Sequence, residues 1–252
     1  MAVRVLNEDL NLKWLHTRCI PHKLTEDNKI IRVERCTDML EAFKSRQTRK
    51  NLVTNDEKNF FLRNLKPRNV IGSWEKVGPY GDCEENNRLQ TPRRSPMEAK
   101  YMVIVAVSQS GTHYYEILNR NESMNSVRYV QFLTNLGDVL RNAPTPILLE
   151  NTRLCQDNAR PHTSHTTMAF IHDKNIRIIK QAPYSPDTNL CDRYIFPRLE
   201  AKRNADFDSY EDLKTFMDNE LPLFTKDRMQ RALIEMENDL KKIVEQDGSY
   251  NV

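Results

Sequence analysis

Three aspartates are the residues best placed to do chemistry: Asp56 inside a strand-like segment, Asp157 at the end of another, and Asp192 at the start of a late helical stretch. Acids this far apart in sequence converge only through a fold. If they do, they would hold two Mg²⁺ (or Mn²⁺) ions about 3.5–4 Å apart around a phosphodiester. Mg²⁺ takes hard oxygen ligands and keeps much of its water, so few carboxylates suffice. One ion would lower the pKa of an attacking water or 3′-hydroxyl, and the other would stabilise the leaving oxygen. Position alone does not settle the matter, because the chain has 35 acidic residues and acids also cap helices and face solvent at element ends.

The elements that must position these acids follow a mixed order. Thr25, with Glu26 and Asp27 behind it, reads as a helix start, and Val33, Cys36, Met39, Leu40 and Phe43 share a face at helical spacing. After the basic stretch Lys44 to Lys50, residues 51–64 read as the strand holding Asp56. Residues 65–100, broken by Pro67, Pro79, Pro92, Pro96 and three glycines, form a long loop with a short strand expected near Val70–Trp74. A hairpin turns at Ser110–Gly111, and a helix is expected over Ser126 to Arg141. The segment TPILLENTRLCQD reads as the strand delivering Asp157, and a helix from Pro161 to about Asp173 follows, with the proline in its first turn. IRIIKQ is a short strand, and the chain reads as helical past Asp192 to about Lys202. Two helices close it, the first begun by Ser209 with Asp212 in a capping-box arrangement. This order gives an α/β fold with one central mixed sheet flanked by helices.

Composition excludes several classes. With 252 residues, 38% hydrophobic and 29% charged, the chain can fill the core of one large domain or two small ones. A net charge of +3 identifies no partner. The cysteines, Cys19, Cys36, Cys83, Cys155 and Cys191, are odd in number and form no CxxC pair. They argue against a disulfide framework or zinc cluster and fit a reducing compartment. None of the six glycines builds a phosphate-cradling loop, so no nucleotide cofactor is expected. No stretch reaches the roughly 18 apolar residues of a membrane helix, so no membrane partner is expected, and the early acids and lysine are unlike a signal peptide.

The surroundings of the acids say more. VTNDEKNFF around Asp56, QDNARPH around Asp157 and APYSPDTNLCD ending at Asp192 resemble the three catalytic signatures of mariner-type transposases of the Tc1/mariner superfamily. The 34 residues between Asp157 and Asp192 match the mariner subclass spacing. WLHTRCIPHKLTEDNKIIRVERC resembles that family's linker, and FDSYEDLKTFMDNEL with DGSYNV resembles its tail, so the likeness spans nearly the whole chain. The resemblance implies an RNase H-like fold in which the first strand, the fourth strand and a following helix gather Asp56, Asp157 and Asp192 as catalytic and metal-binding residues for two Mg²⁺ (or Mn²⁺) ions. It implies DNA cleavage and strand transfer in cut-and-paste transposition, with transposon ends and target DNA as partners, a homodimer and a nuclear location. Residues 1–50 become a linker and helical segment, with Trp14, Pro21, His22 and Leu24 as dimer-linker residues. Residues 51–252 become the catalytic domain, with 65–100 a clamp-like loop. Arg93 and Arg94 in that loop, with Asn158 and His162, are candidate DNA contacts. The family carries helix-turn-helix modules ahead of the linker, where this chain starts, so a catalytic domain or fragment is expected. Departures include Asn59 for a usual tryptophan, Gln156 and Gln181 for frequent histidines, and TNLCD in place of LAPSD.

Plainer readings stand beside these. Glu57 points to the opposite strand face from Asp56 and reads as structural. Asn158 serves equally as a helix cap. His162 and His165 lack further zinc ligands and read as surface or hydrogen-bonding residues. Asp187 reads as a loop or helix-start residue, Tyr184 and Ser185 as shaping a loop stiffened by Pro183 and Pro186. Lys44, Arg46, Arg49 and Lys50 read as a solvated face, and Trp14 alone as core. The rival functions are a domesticated DNA-binding protein, a stand-alone metal-dependent nuclease and a structural interaction domain.

Overall fold

The computed structural model describes residues 22–63, 98–120 and 122–250. Five strands form one sheet: β1 (Leu52–Phe61), β2 (Lys100–Ser108), β3 (Gly111–Ile117), β4 (Arg153–Gln156) and β5 (Arg177–Lys180), in the order β3-β2-β1-β4-β5. The first three pair antiparallel, whereas β4 runs parallel to β1 and β5 parallel to β4. The described helices are α1 (Glu26–Lys44), α2 (Arg46–Lys50), α3 (Ser126–Arg141), α4 (Arg160–Thr163), α5 (His165–Asp173), α6 (Phe196–Lys202), α7 (Tyr210–Glu220) and α8 (Lys226–Glu245).

Strand β2 shows how the layers are built. Val103, Val105 and Val107 pack into a core with residues of α1, α6, α7 and α8. Ile104 and Ala106 enter a second core with Tyr129, Phe132, Leu133, Leu136 and Leu140 of α3. Side chains alternate across a strand, so an apolar run without polar interruption is what a strand covered on both faces requires.

Local sequence sets most boundaries. Thr25 Oγ1 accepts from Asn28 N at 3.2 Å and starts α1, while Ser209 and Asp212 form a reciprocal capping box at α7. Three expectations are corrected. The apolar run before Asp157 forms a strand only over Arg153–Gln156, and Leu149–Asn151 is a 3₁₀ turn. Pro144 and Pro146 have no N–H to give a ladder, and Ile147 is buried by core packing instead. The helix after Pro161 is broken at Ser164, whose backbone is extended (ψ 154°) and whose Oγ caps α5 through Thr167 N at 3.2 Å. The chain from Cys191 to Ile195 is a π-helical turn leading into α6, where Pro197 cannot donate a helical hydrogen bond. The expected strand near Val70–Trp74, most of the long loop with Arg93 and Arg94, and Trp14 and Pro21 lie outside the described residues; Lys100 already belongs to β2.

One buried charge joins distant parts. The Arg32 side chain on α1 has no exposed surface. Its Nε donates to Gly248 O (2.8 Å), Nη1 to Ser185 Oγ (2.6 Å) and Asp187 Oδ1 (2.9 Å), and Nη2 to Asp187 Oδ2 (2.7 Å). The guanidinium also lies over the Tyr250 ring, 4.5 Å from its centroid. Gly248 is required here: its φ is +80°, and a Cβ would sit 2.3 Å from Lys29 O. Asp187 is thus the partner of Arg32, which gives its place in the loop a physical role. Breaking a buried pair strands the remaining charge. Asp187→Ala is therefore expected to cost about 3–5 kcal/mol in urea unfolding. Arg32→Met with Asp187→Leu should cost clearly less than the single change, and equal losses would show that the pair is not what matters.

Candidate active site

The parallel pairing of β1 and β4 sets the position of two acids. Thr54 lies opposite Cys155 in the last pair of their register, and Asp56 and Asp157 each follow two residues further along the chain. Asp192 arrives from the π turn, whose approach is fastened by Asn189. The Asn189 Nδ2 donates to Asp56 Oδ2 at 2.9 Å, and its Oδ1 accepts from Cys191 N at 2.8 Å. All three acids line one cavity of about 390 Å³, together with Asn158, Gln181, the 182–186 loop and Asn189.

The acids are held unequally. Asp56 is only 8% exposed. Burial first, then the charges of Asp192 and Glu57, push its carboxyl up to about 9. Burial also raises Asp192, against a hydrogen bond with Asp56 that lowers it. Asp157 goes the other way. Burial pushes it up, but His162 and the Ala159 N–H outweigh this and hold it below the usual carboxylate range. Asp157 Oδ1 accepts from Ala159 N (2.9 Å) and from His162 Nδ1 (2.7 Å), and His162 Nε2 donates to Glu57 Oε1 (3.0 Å). Burial lowers the His162 pKa, but its two carboxylate partners overcome that and raise it to about 10. The ring is therefore an imidazolium at neutral pH.

Among the described residues, no three His, Cys, Asp or Glu side chains stand close enough to hold one metal ion. The expected metal-sized cluster is thus replaced by a looser arrangement: Asp56 pairs with Asp192, and Asp157 faces the same cavity from its own hydrogen bonds. Mutual repulsion of carboxylates opposes closer approach. The donor set itself, carboxylate oxygens at the rim of one cavity, fits a hard divalent cation.

Other expected residues fall into place differently. Asn158 is exposed at the rim, and its Nδ2 donates to Gln181 O at 2.8 Å. It does not cap the next helix, whose N-cap is Ala159. His162 is buried at 1% exposure, and with both nitrogens engaged it has no donor left for DNA, so neither the surface reading nor the DNA contact holds. Glu57, read as structural, reaches the site through His162. His22 is exposed and stacks on Tyr184 at 4.0 Å between centroids, and Leu24 is half-buried. Tyr184 holds a left-handed φ of 54°, a strained conformation for a non-glycine residue. Arg49 pairs with Glu237 at 2.8 Å. Arg46 and Lys50 instead line a larger groove of about 1340 Å³ that shares no residue with the acid cavity. Asn189 and Tyr129 went unnoticed in sequence; the TNLCD departure was the one signal for Asn189.

No family model matches the chain. It is 28% identical over 237 residues to the Mariner Mos1 transposase of Drosophila mauritiana, covering 92% of this chain and 66% of that protein. It is 26% identical over 249 residues to the Histone-lysine N-methyltransferase SETMAR of Homo sapiens, covering 94% of this chain and 33% of that protein. The mariner Mos1 paired-end complex with Mg has a TM-score of 0.82 at 28% identity, covering 100% of this chain and 71% of that one. The catalytic domain of Mos1 mariner transposase has a TM-score of 0.71 at 26% identity, covering 93% and 100%. The sheet order, the flanking helices and these likenesses define an RNase H-like α/β domain. In sequence and structure together the chain is similar to the catalytic domain of the mariner Mos1 transposase. It spans about two-thirds of the length of Mos1.

The raised pKa values give a signed prediction for the protein in chelator. A carboxyl raised from near 4 to about 9 contributes stability below its ordinary value and loses it as pH rises toward 9. His162, raised from 6.5 to about 10, loses its contribution over the upper part of the same range. The melting temperature should fall between pH 6 and pH 9, and Asp56→Asn should flatten the fall. A rising or flat wild-type profile over that range contradicts these shifts.

Proposed function

We propose that this chain is the catalytic domain of a cut-and-paste DNA transposase, with Asp56, Asp157 and Asp192 as its metal-binding catalytic residues. The observation that carries this reading is the delivery of Asp56, Asp157 and Asp192 to one cavity from β1, the end of β4 and the π turn. Likeness to Mos1, whose paired-end complex contains Mg, supports DNA and a divalent cation as partners. Two Mg²⁺ or Mn²⁺ ions held by the three carboxylates would acidify the attacking water and neutralise charge on the scissile phosphate.

The remaining work falls to the protein. In cleavage, a water oxygen bonds to phosphorus and the phosphorus–O3′ bond breaks, leaving a 3′-hydroxyl. In strand transfer that 3′-oxygen bonds to a target phosphorus as the target's own phosphorus–O3′ bond breaks, and the released target 3′-oxygen takes up the proton. The 182–186 loop walls the cavity, the Asn189 amide orients Asp56, and the buried His162 imidazolium offsets part of the acids' charge.

Residues 1–50 serve as the linker and helical segment and 51–252 as the catalytic domain, with Trp14, Pro21, His22 and Leu24 joining two subunits of a homodimer. The loop over 65–100 acts as a clamp, Arg93, Arg94 and Asn158 contact DNA, and the protein works in the nucleus. Similarity to a third of SETMAR favours, as the second reading, a transposase-derived domain kept for another role.

Asp157→Asn should abolish Mg²⁺- or Mn²⁺-dependent nicking of DNA at a temperature where the variant is folded. Asp187→Asn should lower the melting temperature yet retain nicking at a temperature where it is folded. Equal loss of nicking in both folded variants would sink the assignment. The chain's dispersed cations contact phosphates, which carry little base information. Binding should therefore be sequence-indifferent, with dissociation constants of roughly 10⁻⁴–10⁻⁶ M at physiological salt, weakening steeply as salt rises. Competition between an inverted-repeat and a scrambled duplex checks this. A preference that persists at high salt contradicts it.

A further inference from the structure

His162 sits under the acid cavity in an arrangement that the reaction chemistry above leaves unexplained. Its two ring nitrogens face two carboxylates, Asp157 at 2.7 Å and Glu57 at 3.0 Å. Both partners only accept, so both nitrogens must donate. The ring is packed as well: the Tyr129 ring, tilted 38° to it, lies 4.1 Å away between centroids. Tyr129 is fixed in turn: its hydroxyl accepts from Asn55 Nδ2 at 2.7 Å and donates to Gln156 Oε1. These contacts join β1, β4, α3 and α4 beneath a single carboxylate.

The consequence falls on Asp157. Its Oδ1 accepts from both Ala159 N and His162 Nδ1, and among the described residues no hydrogen bond engages Oδ2. A rigid, doubly anchored ring therefore fixes which oxygen is spent on the protein and which is left for the cavity. Glutamine in place of His162 has no second nitrogen to span to Glu57, and lysine has no flat face for Tyr129.

We propose that His162, braced by Glu57, is a positioning residue that locks Asp157 with Oδ2 free, so that the Glu57–His162 pair sets the site's affinity for a divalent cation without touching it. This rests on the assignment of Asp157 as a metal ligand above. Partners behind a ligand commonly change metal affinity about 10–100-fold when removed.

The test is Mn²⁺ binding, followed by the loss of the free-ion electron paramagnetic resonance signal, in wild type, His162→Ala, Glu57→Ala, Glu57→Gln and Asp157→Asn. Melting in chelator is recorded beside it. Glu57 is only partly buried, so Glu57→Ala keeps the test decisive where His162→Ala fails to fold. The expected result is Mn²⁺ binding weakened about tenfold or more by Glu57→Ala and His162→Ala, with Glu57→Gln, which still offers an acceptor to Nε2, close to wild type. Wild-type affinity in Glu57→Ala, while Asp157→Asn binds poorly, overturns the positioning role. Wild-type affinity in Asp157→Asn overturns instead the ligand assignment beneath it.

Discussion

A guanidinium cannot be left dry and unpaired, and in this protein Arg32 has no exposed surface. Everything that satisfies it comes from elsewhere: Ser185 and Asp187 from the loop before the π turn, Gly248 and Tyr250 from the tail. Any conformation that withdraws the loop or the tail must leave that charge uncompensated. The loop is therefore a fixed wall of the cavity, and its strained residue, Tyr184, is held on two further sides by the stacked His22 ring and by the Tyr250 hydroxyl on its carbonyl oxygen. Two prolines restrict the backbone between these anchors.

The acids on the other side of that wall obey a second constraint. Three carboxylates in one cavity repel, and the protein relieves this by different means at each. Burial and like charge hold the Asp56 carboxyl up, Asn189 donates to Asp56, and Asp157 leans on an imidazolium. The charge is thus balanced from outside the cavity, leaving its interior to acceptor oxygens. Cys155 and Cys191, buried beside these acids, are pushed well up by burial and stay as thiols.

Much of this was legible in the sequence because local physics decides it. Caps at Thr25 and Ser209 and the hairpin turn at Gly111 depend on neighbours within a few residues, and they stand where expected. The acids were legible through motif and spacing. The strand before Asp157 is shorter than its apolar run suggests because apolar residues bury equally well outside a ladder, as Ile147 does. Glu57 was read correctly as pointing away from Asp56. Its importance lay hidden in a partner 105 positions along the chain. Asp187 and Asn189 were opaque for the same reason: a polar side chain in a loop shows its purpose only when the group it meets is known.

The Arg32 clasp also bears on how the chain is made. Its partners lie 153, 155 and 216 positions downstream. At about 5–20 residues per second, translation of the 216 positions between Arg32 and Gly248 takes roughly 10–40 s. Through that interval α1 leaves the ribosome with its arginine still hydrated, and the wall of the acid cavity cannot close. The nascent domain thus closes the wall of its acid cavity late, after the sheet's own hydrogen bonds have become available.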